Sequence, residues 1–199
     1  MSSYPIVEEF YSIQGEGFHS GVAAHFVRLA GCDVRCPWCD AKESWRVEGH
    51  EVLSSEQIVD RVKASGAKSV VVTGGEPLMH DLGELTHALH EAGLQIFLES
   101  SGSRELNGEF DWICISPKRR KPPIDSTLLR ASELKVVIEG EQDFAWAEEC
   151  AARVGDGCML YMQVEWSGSE RVMPLVVEYV KSNPRWMVSI QTHKHMNIP

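Results

Sequence analysis

The sequence predicts an α/β fold built on a parallel β-sheet, and three observations support this prediction. Short apolar runs alternate with amphipathic helical patterns along the 199 residues, an order typical of parallel strands joined by right-handed helical crossovers. About six to seven strands accompany four clear helices, which is too few for a complete eight-unit barrel. Polar motifs directly follow most of the strands. We therefore expect one domain, residues 1–199, with a ligand site where the strands end.

The strand predictions rest on short runs rich in valine and isoleucine. The clearest is Ser69-Val70-Val71-Val72-Thr73, which leads directly into a glycine pair. Residues 4–13 alternate only loosely, and residues 43–52 are polar, mixed and left unassigned. We predict strands at residues 22–29, 69–73, 94–98, 112–115, 134–138, 159–164 and 186–190.

The helix predictions rest on capping residues and on apolar residues at helical spacing. Ser54-Ser55-Glu56-Gln57 has the pattern of a capping box, and Gly66 follows the end of that helix. Asp81 and Gly93 bound a second helix in the same way. Phe144, with further apolar residues spaced along its helix, marks an amphipathic face. We predict helices at residues 54–65, 81–93, 141–154 and 169–181.

Composition excludes several classes of function. The formal net charge of −10 gives no basic field for general nucleic-acid binding. The one basic run, Lys118-Arg119-Arg120-Lys121, is short, and a solvated loop is the favoured interpretation. No apolar run approaches the roughly 18–20 residues of a membrane span. The first residues lack the pattern of a signal peptide. We expect a cytoplasmic protein with no membrane partner and no nucleic-acid partner.

Cys32, Cys36 and Cys39 have the spacing C-x3-C-x2-C in a loop bounded by glycine and proline. Thiolates bind zinc, copper(I) or iron–sulfur clusters, and a structural zinc site wants four ligands, of which no fourth lies nearby. A cubane 4Fe–4S cluster held by three thiolates would leave one iron open. We favour this cluster, with zinc and ordinary thiols left as alternatives. Cys114, Cys150 and Cys158 stand in apolar contexts typical of buried core thiols.

A second motif, Thr73-Gly74-Gly75-Glu76-Pro77, follows the valine-rich strand. Adjacent glycines let a ligand approach the backbone closely, and Glu76 offers an acceptor for an ammonium group. A plain strand-to-helix turn would use the same residues, so this motif alone leaves both interpretations open.

Six polar segments follow predicted strands, and parallel strands end on one face, so these segments should converge on one site. They are Arg28 with the cysteine loop, 73–76, 99–101, 116–118, Gln163 with Glu165, and 191–194.

The cysteine spacing followed by a strand and Gly-Gly-Glu-Pro resembles the radical S-adenosylmethionine superfamily. Further motifs resemble the 7-carboxy-7-deazaguanine synthase family across nearly the whole chain. They are residues 10–17 (FYSIQGEG), 26–32 (FVRLAGC), 38–40 (WCD), 72–77 (VTGGEP), 116–118 (SPK) and 191–199 (QTHKHMNIP).

This resemblance implies a truncated parallel β/α barrel of the radical S-adenosylmethionine type that converts 6-carboxy-5,6,7,8-tetrahydropterin to 7-carboxy-7-deazaguanine and ammonia. It also implies a 4Fe–4S cluster, S-adenosylmethionine and Mg2+ as cofactors, a homodimer, and a reductant such as flavodoxin. A glycyl-radical activating enzyme is the alternative among enzymes, and a zinc- or cluster-binding structural module is the alternative without catalysis.

By the same resemblance, residues of the motifs take up particular roles. Cys32, Cys36 and Cys39 would hold the cluster. The S-adenosylmethionine site would contain Trp38, Cys39, Asp40, Gly74, Gly75, Glu76, Ser101, Ser116, Pro117, Lys118 and Gln163. The substrate site would contain Ile13, Gln14, Gly15, Glu16, Arg28, Thr73, Glu99 and Pro199. Arg28 would bind the substrate carboxylate, as a planar, permanently charged donor. Pro199, if it is the true C-terminus, would present its α-carboxylate to the pterin. His193 and Lys194 have no firm assignment.

Two positions depart from the family pattern. Ala41 stands where family members commonly have a threonine or serine whose hydroxyl binds Mg2+, so the magnesium ligand is unknown and Asp40 is one candidate. Gln163-Val164-Glu165-Trp166 stands where the family often has Gln-Pro, which makes the adenosine contacts there less certain.

Overall fold

The computed structural model describes residues 2–199, and strands and helices alternate along them. The strands are β1 Ser3–Ile13, β2 Ala23–Leu29, β3 Glu51–Ser54, β4 Ser69–Gly74, β5 Gln95–Ser100, β6 Trp112–Ile115, β7 Glu133–Ile138, β8 Met159–Val164 and β9 Trp186–Ser189. The α-helices are α1 Ser55–Ser65, α2 Gly83–Glu91, α3 Asp125–Leu128, α4 Gln142–Ala151, α5 Ser169–Ser182 and α6 Thr192–Met196. Short 3-10 helices lie at Lys42–Trp45, Pro77–Met79 and Trp166–Gly168.

The strands form one sheet in the order β3-β1-β2-β4-β5-β6-β7-β8-β9. The seven strands from β2 to β9 in this order are parallel, whereas β1 pairs antiparallel with β2 and β3. Within residues 2–199 the two edge strands, β3 and β9, do not pair with each other. The predicted parallel, partial barrel of about seven strands is therefore confirmed, with an antiparallel extension at one edge.

The extension consists of the two strands that the sequence analysis did not assign. β1 has only loose alternation because it lies between two antiparallel partners and near the cleft described below. β3 has four residues, and Glu51 and Val52 are exposed. Such a short edge strand has little apolar pattern of its own and depends on pairing with β1.

The two faces of the parallel sheet differ in chemistry because side chains alternate along each strand. In β7, Leu134 and Val136 pack into the main hydrophobic core, whereas Lys135 and Val137 face a cleft on the opposite side. Helix residues complete the core, among them Ile58 and Val62 of α1, Leu85 and Leu89 of α2, Ala147 of α4, and Val172 and Val176 of α5.

Local signals at α1 agree with the sequence. Gln57 N donates to Ser54 Oγ at 3.2 Å, and Gln57 Oε1 accepts from Ser54 N at 2.9 Å, which completes the capping box. Gly66 follows the helix in the left-handed conformation, with φ of 78°. Among residues 2–199, no helix combines the length and the apolar character needed to cross a lipid bilayer.

Candidate functional site

The carboxyl ends of the parallel strands open on one elongated cleft, and each polar motif that follows a strand contributes to its wall. From the predicted site residues the wall contains Ile13, Gln14, Gly15, Glu16, Arg28, Cys32, Cys36, Trp38, Cys39, Asp40, Thr73, Gly74, Gly75, Glu99, Ser101, Ser116, Lys118, Gln163 and Pro199. His193 and Lys194 also line it. Glu76, Pro117 and Ala41 do not. The fold thus brings together segments that lie far apart in sequence.

The cysteine loop follows β2 and forms part of this wall. Cys32 N donates to Trp45 O at 3.3 Å, which fixes the start of the loop. Cys39 N donates to Cys36 O at 3.1 Å and closes a turn between the second and third cysteines. All three thiols are free; Cys32 is buried, and the other two are half-buried. Three unpaired thiols therefore lie along one side of the cleft.

The three thiols are one ligand short of a structural zinc site and suit a cubane cluster with one open iron. Within residues 2–199, no group of three or more His, Cys, Asp or Glu side chains is arranged to hold a metal ion. A structural zinc site would need four such ligands around one atom. In a cubane each thiolate binds a different iron, which leaves the fourth iron for another ligand. The free thiols beside an open cleft fit that group.

The glycine motif after β4 packs against the start of the cysteine loop. Gly75 N donates to Leu29 O at 3.0 Å, and Glu76 N donates to Gly31 O at 2.8 Å. A β-carbon at Gly75 would lie 2.6 Å from the Cys32 β-carbon, closer than real side chains come. The close packing against the cysteine loop therefore requires glycine at position 75. A ligand that approaches the backbone from the cleft would add to this requirement.

Glu76, which was predicted as a ligand acceptor, is buried and does not itself line the cleft. The residue is 1% exposed. Its carboxylate accepts hydrogen bonds from Ser100 Oγ at 2.6 Å, from Ser101 N at 2.9 Å and from Leu78 N at 3.2 Å, and Ser101 Oγ also donates to it. Two of these partners, Ser100 and Ser101, line the cleft. Glu76 therefore joins the ends of β4 and β5 directly behind the cleft wall.

The segment after β6 places one half-buried cation near the cysteines. Lys118 Nζ donates to Ser116 O at 2.5 Å and to Ser116 Oγ at 2.7 Å, and it lies 5.6 Å from the centre of the Trp38 ring. Burial lowers the pKa of the Lys118 ammonium below its ordinary value. Pro117 lines a smaller adjoining groove, which shares Cys36, Trp38 and Lys118 with the cleft. Ser116 and Lys118 are thus the cleft residues of this motif.

An ion cluster around Lys135 occupies the cleft floor. Lys135 Nζ lies 2.7 Å from Glu16 Oε2 and 2.9 Å from Glu99 Oε2, and the lysine side chain is 4% exposed. Gln191 Nε2 donates to Glu16 Oε1 at 2.8 Å, and Gln14 Nε2 donates to Glu99 Oε1 at 3.3 Å. Elements from both ends of the chain therefore meet at one ammonium group.

The two carboxyls of this cluster titrate differently. Burial raises the pKa of Glu16, but the Lys135 ammonium and the hydrogen bonds from Lys135 and Gln191 outweigh burial and lower that pKa to about 2. For Glu99, burial together with repulsion from Glu16 outweighs Lys135 and raises the pKa. Burial disfavours the charge on Lys135, but its carboxylate neighbours raise the lysine pKa well above the ordinary value. Glu16 is thus the permanent anion, and Glu99 takes up a proton more readily.

Lys135 is the main cleft residue that the sequence analysis missed. It lies within a strand that was predicted from its apolar neighbours, such as Leu134 and Val136. A lysine in a buried strand is rare unless it has a charged partner. That rarity was the available signal, because it implies that carboxylates elsewhere in the chain must reach the lysine.

The C-terminal segment covers one end of the cleft. Thr192 N donates to Gly15 O at 2.9 Å, and Ser12 Oγ donates to Pro199 O at 3.2 Å. A β-carbon at Gly15 would lie 2.7 Å from His193 N, so this contact requires glycine. Burial lowers the pKa of His193. The Gln14-Gly15 turn therefore packs against the C-terminal motif.

Arg28 lines the cleft and is only partly engaged by other side chains. Arg28 Nε donates to Glu8 Oε1 at 2.7 Å, and within residues 2–199 the two terminal nitrogens of Arg28 have no hydrogen-bond partner. Arg28 therefore retains donors for an anionic group in the cleft.

Gln163 also lines the cleft, and its Oε1 accepts a hydrogen bond from Ser189 Oγ at 2.7 Å.

The residues near Ala41 do not form a magnesium site on their own. Ala41 is buried and has no side-chain oxygen. The neighbouring carboxylate, Asp40, already pairs with Lys194, whose Nζ lies 3.4 Å from Asp40 Oδ2. Mg2+ prefers octahedral oxygen ligands, commonly including one or two carboxylates. One carboxylate with a lysine partner does not meet that preference.

Comparisons with known proteins agree with this geometry. Residues 27–117 match the Radical SAM superfamily, a stretch that includes the cysteine loop and the glycine motif. The chain is 49% identical over 195 residues to 7-carboxy-7-deazaguanine synthase of Flavobacterium psychrophilum, covering 98% of this chain and 92% of the relative. It is 44% identical over 196 residues to the Synechocystis protein of the same name, covering 98% and 94%.

A solved structure shows the same fold. The crystal structure of QueE from Escherichia coli superposes with a TM-score of 0.84 at 32% sequence identity, covering 94% of this chain and 93% of that one. The similarity therefore extends over nearly the full length of both chains.

Proposed function

The chain belongs to the 7-carboxy-7-deazaguanine synthase family within the radical S-adenosylmethionine superfamily, and from this premise we propose which residues bind its cofactors and substrate. The enzyme converts 6-carboxy-5,6,7,8-tetrahydropterin to 7-carboxy-7-deazaguanine with loss of ammonia, a ring contraction in the biosynthesis of queuosine and related 7-deazapurines. A 4Fe–4S cluster with S-adenosylmethionine supplies the radical chemistry when bound. A glycyl-radical activating function is not favoured.

We propose that Cys32, Cys36 and Cys39 hold the cluster. The observation that carries the assignment is that these thiols line the same cleft as Arg28 and the Lys135 cluster. A cofactor at the thiols and a small substrate at the charged floor would therefore share one cleft.

S-adenosylmethionine is proposed to lie between the cysteine loop and the ends of β4 to β8. Its methionyl group would meet the backbone at Gly74-Gly75, where the glycine pair leaves the peptide groups accessible. Its remaining contacts would come from Trp38, Asp40, Ser101, Ser116, Lys118 and Gln163. Glu76 and Pro117 support this wall from behind, because neither lines the cleft.

The pterin is proposed to bind at the other end, against Ile13, Gln14, Gly15, Thr73 and Pro199. The terminal nitrogens of Arg28 would bind the substrate carboxylate in a bidentate pair. Glu16 and Glu99 offer carboxylate acceptors for the N–H groups of the pterin edge. Lys135 positions both carboxylates and keeps Glu16 ionised.

No step is assigned to Mg2+, because the residues present hold it poorly. Any contribution of the ion depends on oxygen atoms that the substrate itself brings next to Asp40.

Reconstitution tests the assignment directly. The chain is loaded with iron and sulfide under anaerobic conditions and incubated with S-adenosylmethionine, a reductant and carboxytetrahydropterin. Carboxydeazaguanine and ammonia are the expected products. Cleavage of S-adenosylmethionine without pterin turnover, or stoichiometric zinc in protein purified anaerobically, would contradict the proposal.

We further propose a homodimer that acts in the cytoplasm as a single domain and receives electrons from a protein reductant such as flavodoxin. The compartment is supported by the six free cysteines, since reducing compartments preserve thiols. Light scattering on the purified holoenzyme tests the dimer, and a monomer at micromolar concentration would contradict it.

A further inference from the structure

The loop between β1 and β2, residues 14–22, reaches strands with which β1 and β2 do not pair. Its first residues line the cleft, and Glu16 meets Lys135 of β7 there. Further along the loop, the Phe18 ring stacks on Trp112 of β6, with the ring centres 4.5 Å apart. This β1–β2 loop therefore crosses the inner face of the partial barrel and carries Glu16 with it.

Two buried side chains hold the β1–β2 loop by its backbone. Glu133, at the start of β7, is 2% exposed, and its Oε2 accepts from Phe18 N at 3.1 Å. Ser189, at the end of β9, is 3% exposed, and its Oγ accepts from Gly17 N at 3.0 Å. The loop lies so close that a β-carbon on Gly17 would overlap Glu133 Oε1. Neither acceptor residue lines the cleft, so each reaches a ligand there only through the loop.

The other partners of Glu133 are neutral. Trp112 Nε1 donates to the same Oε2 at 3.1 Å, and Cys114 Sγ lies 3.7 Å from Oε1. Within residues 2–199 no cationic side chain forms an ion pair with this carboxylate; the Lys135 ammonium pairs with Glu16 and Glu99 instead. Burying a carboxylate without a cation costs free energy. An apolar side chain would fill the space without that cost, so the acceptor for the loop is what the glutamate adds.

The Ser189 hydroxyl is fixed as an acceptor for the loop. Its proton goes to Gln163 Oε1, 2.7 Å away, which leaves an oxygen lone pair for Gly17 N. Strands β7, β8 and β9 therefore hold the residue that directly follows Glu16.

We propose that Glu133 and Ser189 are positioning residues for the pterin site. They hold the β1–β2 loop in place, and the loop in turn holds the Glu16 carboxylate on Lys135, facing the substrate. Loss of either acceptor leaves a backbone N–H without its partner and lets the loop move away from Lys135. The substrate then binds less tightly, while the cysteine loop is unaffected. This proposal rests on the pterin site proposed above.

The test measures KM for the pterin in reconstituted holoenzyme at saturating S-adenosylmethionine. Glu133→Ala and Ser189→Ala should each raise KM about tenfold, as expected when a hydrogen bond that orders the site is lost. Iron content should be unchanged in both variants. In Glu133→Ala the affinity for S-adenosylmethionine should also stay within about twofold of the wild type.

Glu148→Ala and Ser54→Ala are the matched controls. The Glu148 carboxylate accepts an indole N–H at 2.9 Å, and Ser54 Oγ accepts a backbone N–H at 3.2 Å, but both residues lie outside the cleft wall and the β1–β2 loop. Both controls should lose thermal stability and keep the wild-type KM. An equal rise of KM in the controls, or an unchanged KM in Glu133→Ala and Ser189→Ala, would overturn the proposal.

Hydrogen exchange at the backbone amides of residues 14–22, measured on the holoenzyme without pterin, separates the possible failures. Exchange should be faster in Glu133→Ala and Ser189→Ala than in the wild type, because both acceptors keep the loop closed. Unchanged exchange would overturn the proposal. Absence of pterin turnover in the wild type would instead remove the proposed function, and the exchange result would still show whether the two residues hold the loop. If Glu133→Ala does not fold, Ser189→Ala decides alone.

Discussion

Gly75 and Cys32 pack so closely that a β-carbon on Gly75 would lie 2.6 Å from the β-carbon of Cys32. The hydrogen bond from Glu76 N to Gly31 O, at 2.8 Å, runs beside this contact. The end of β4 and the start of the cysteine loop are therefore one structural unit. The two motifs that carry the family resemblance act together because each fixes the position of the other.

Gly75→Ala should reduce cluster assembly. The added methyl group must displace the loop that carries Cys32, at a cost of about 1–3 kcal/mol, typical of overpacking. Iron and sulfide per chain after reconstitution measure the effect, with thermal unfolding as a second measurement. Gly83→Ala is the matched control, since its β-carbon would meet only Asp81 Oδ1, at 3.3 Å. Normal iron content and stability in Gly75→Ala would show that the loop adapts freely.

Cys36→Ala and Cys114→Ala should separate ligand cysteines from core cysteines. Cys36 lines the cleft, whereas Cys114 is buried in β6 with its Sγ 3.7 Å from Glu133 Oε1. Burial raises the pKa of Cys114 well above its ordinary value, so this thiol stays protonated and is a poor ligand. Cys36→Ala should lose iron and activity but keep its circular dichroism spectrum. Loss of iron from Cys114→Ala would mean that the ligand assignment is wrong.

Gly15→Ala should weaken substrate binding without affecting the cluster. Its β-carbon would lie 2.7 Å from His193 N, so the segment after β9 must move away from the pterin end of the cleft. We expect KM for the pterin to rise about tenfold or more, as expected from a loss of roughly 1.4 kcal/mol of binding energy. Iron content and the affinity for S-adenosylmethionine should match those of the wild type. A fall in kcat alone, with KM unchanged, would place the role of Gly15 elsewhere.

The features predicted from sequence are those with local signals. The valine run of β4, the capping box of α1 and the cysteine spacing are each specified within a few residues. The alternation of strands and helices along the chain then predicts a parallel sheet whose strands all end on one face. β3 and the Lys135 cluster depend on partners far away in sequence: β3 pairs with β1, and Lys135 meets Glu16 across 119 positions. Nothing local distinguishes such partners, so only the folded chain reveals them.

Glu76 illustrates a different limit. The sequence places Glu76 directly after the glycine pair, and its role as an acceptor for a ligand ammonium group stays a prediction. Two serines at the end of β5, Ser100 and Ser101, bind that carboxylate inside the protein. The sequence position of Glu76 indicates its loop, but the partners of its carboxylate are determined by packing in the folded chain.

Acid should destabilise the fold through Glu16. The pKa of this carboxyl is lowered from 4.5 to about 2, so its ionised form stabilises the folded chain above pH 4.5, and that contribution is lost as the pH falls towards 2. The shift corresponds to about 3 kcal/mol. Urea unfolding of the cluster-free chain across this pH range measures it. Glu16→Gln should lack this part of the pH dependence, whereas Glu170→Gln, on the exposed start of α5, should retain it. Identical profiles for wild type and Glu16→Gln would contradict the role of the Lys135 pair.

The pairing of Lys194 with Asp40 predicts a weak dependence on Mg2+. Lys194 Nζ lies 3.4 Å from Asp40 Oδ2, so a cation already stands beside the carboxylate next to Ala41, and Ala41 itself provides no oxygen ligand. Turnover in the presence of a chelator should stay within about twofold of turnover with added Mg2+. Lys194 already supplies positive charge here, so Mg2+ should lower the activation free energy by only about 0.4 kcal/mol or less. Lys194→Met removes the resident cation and should increase the ratio of the two rates. Ala41→Thr should increase it by the other route, through a hydroxyl that gives Mg2+ an additional ligand. The prediction is contradicted if the chelator removes nearly all turnover from both the wild type and Lys194→Met. Lys194 would then not replace Mg2+, and the substrate and Asp40 would have to bind the ion beside the lysine.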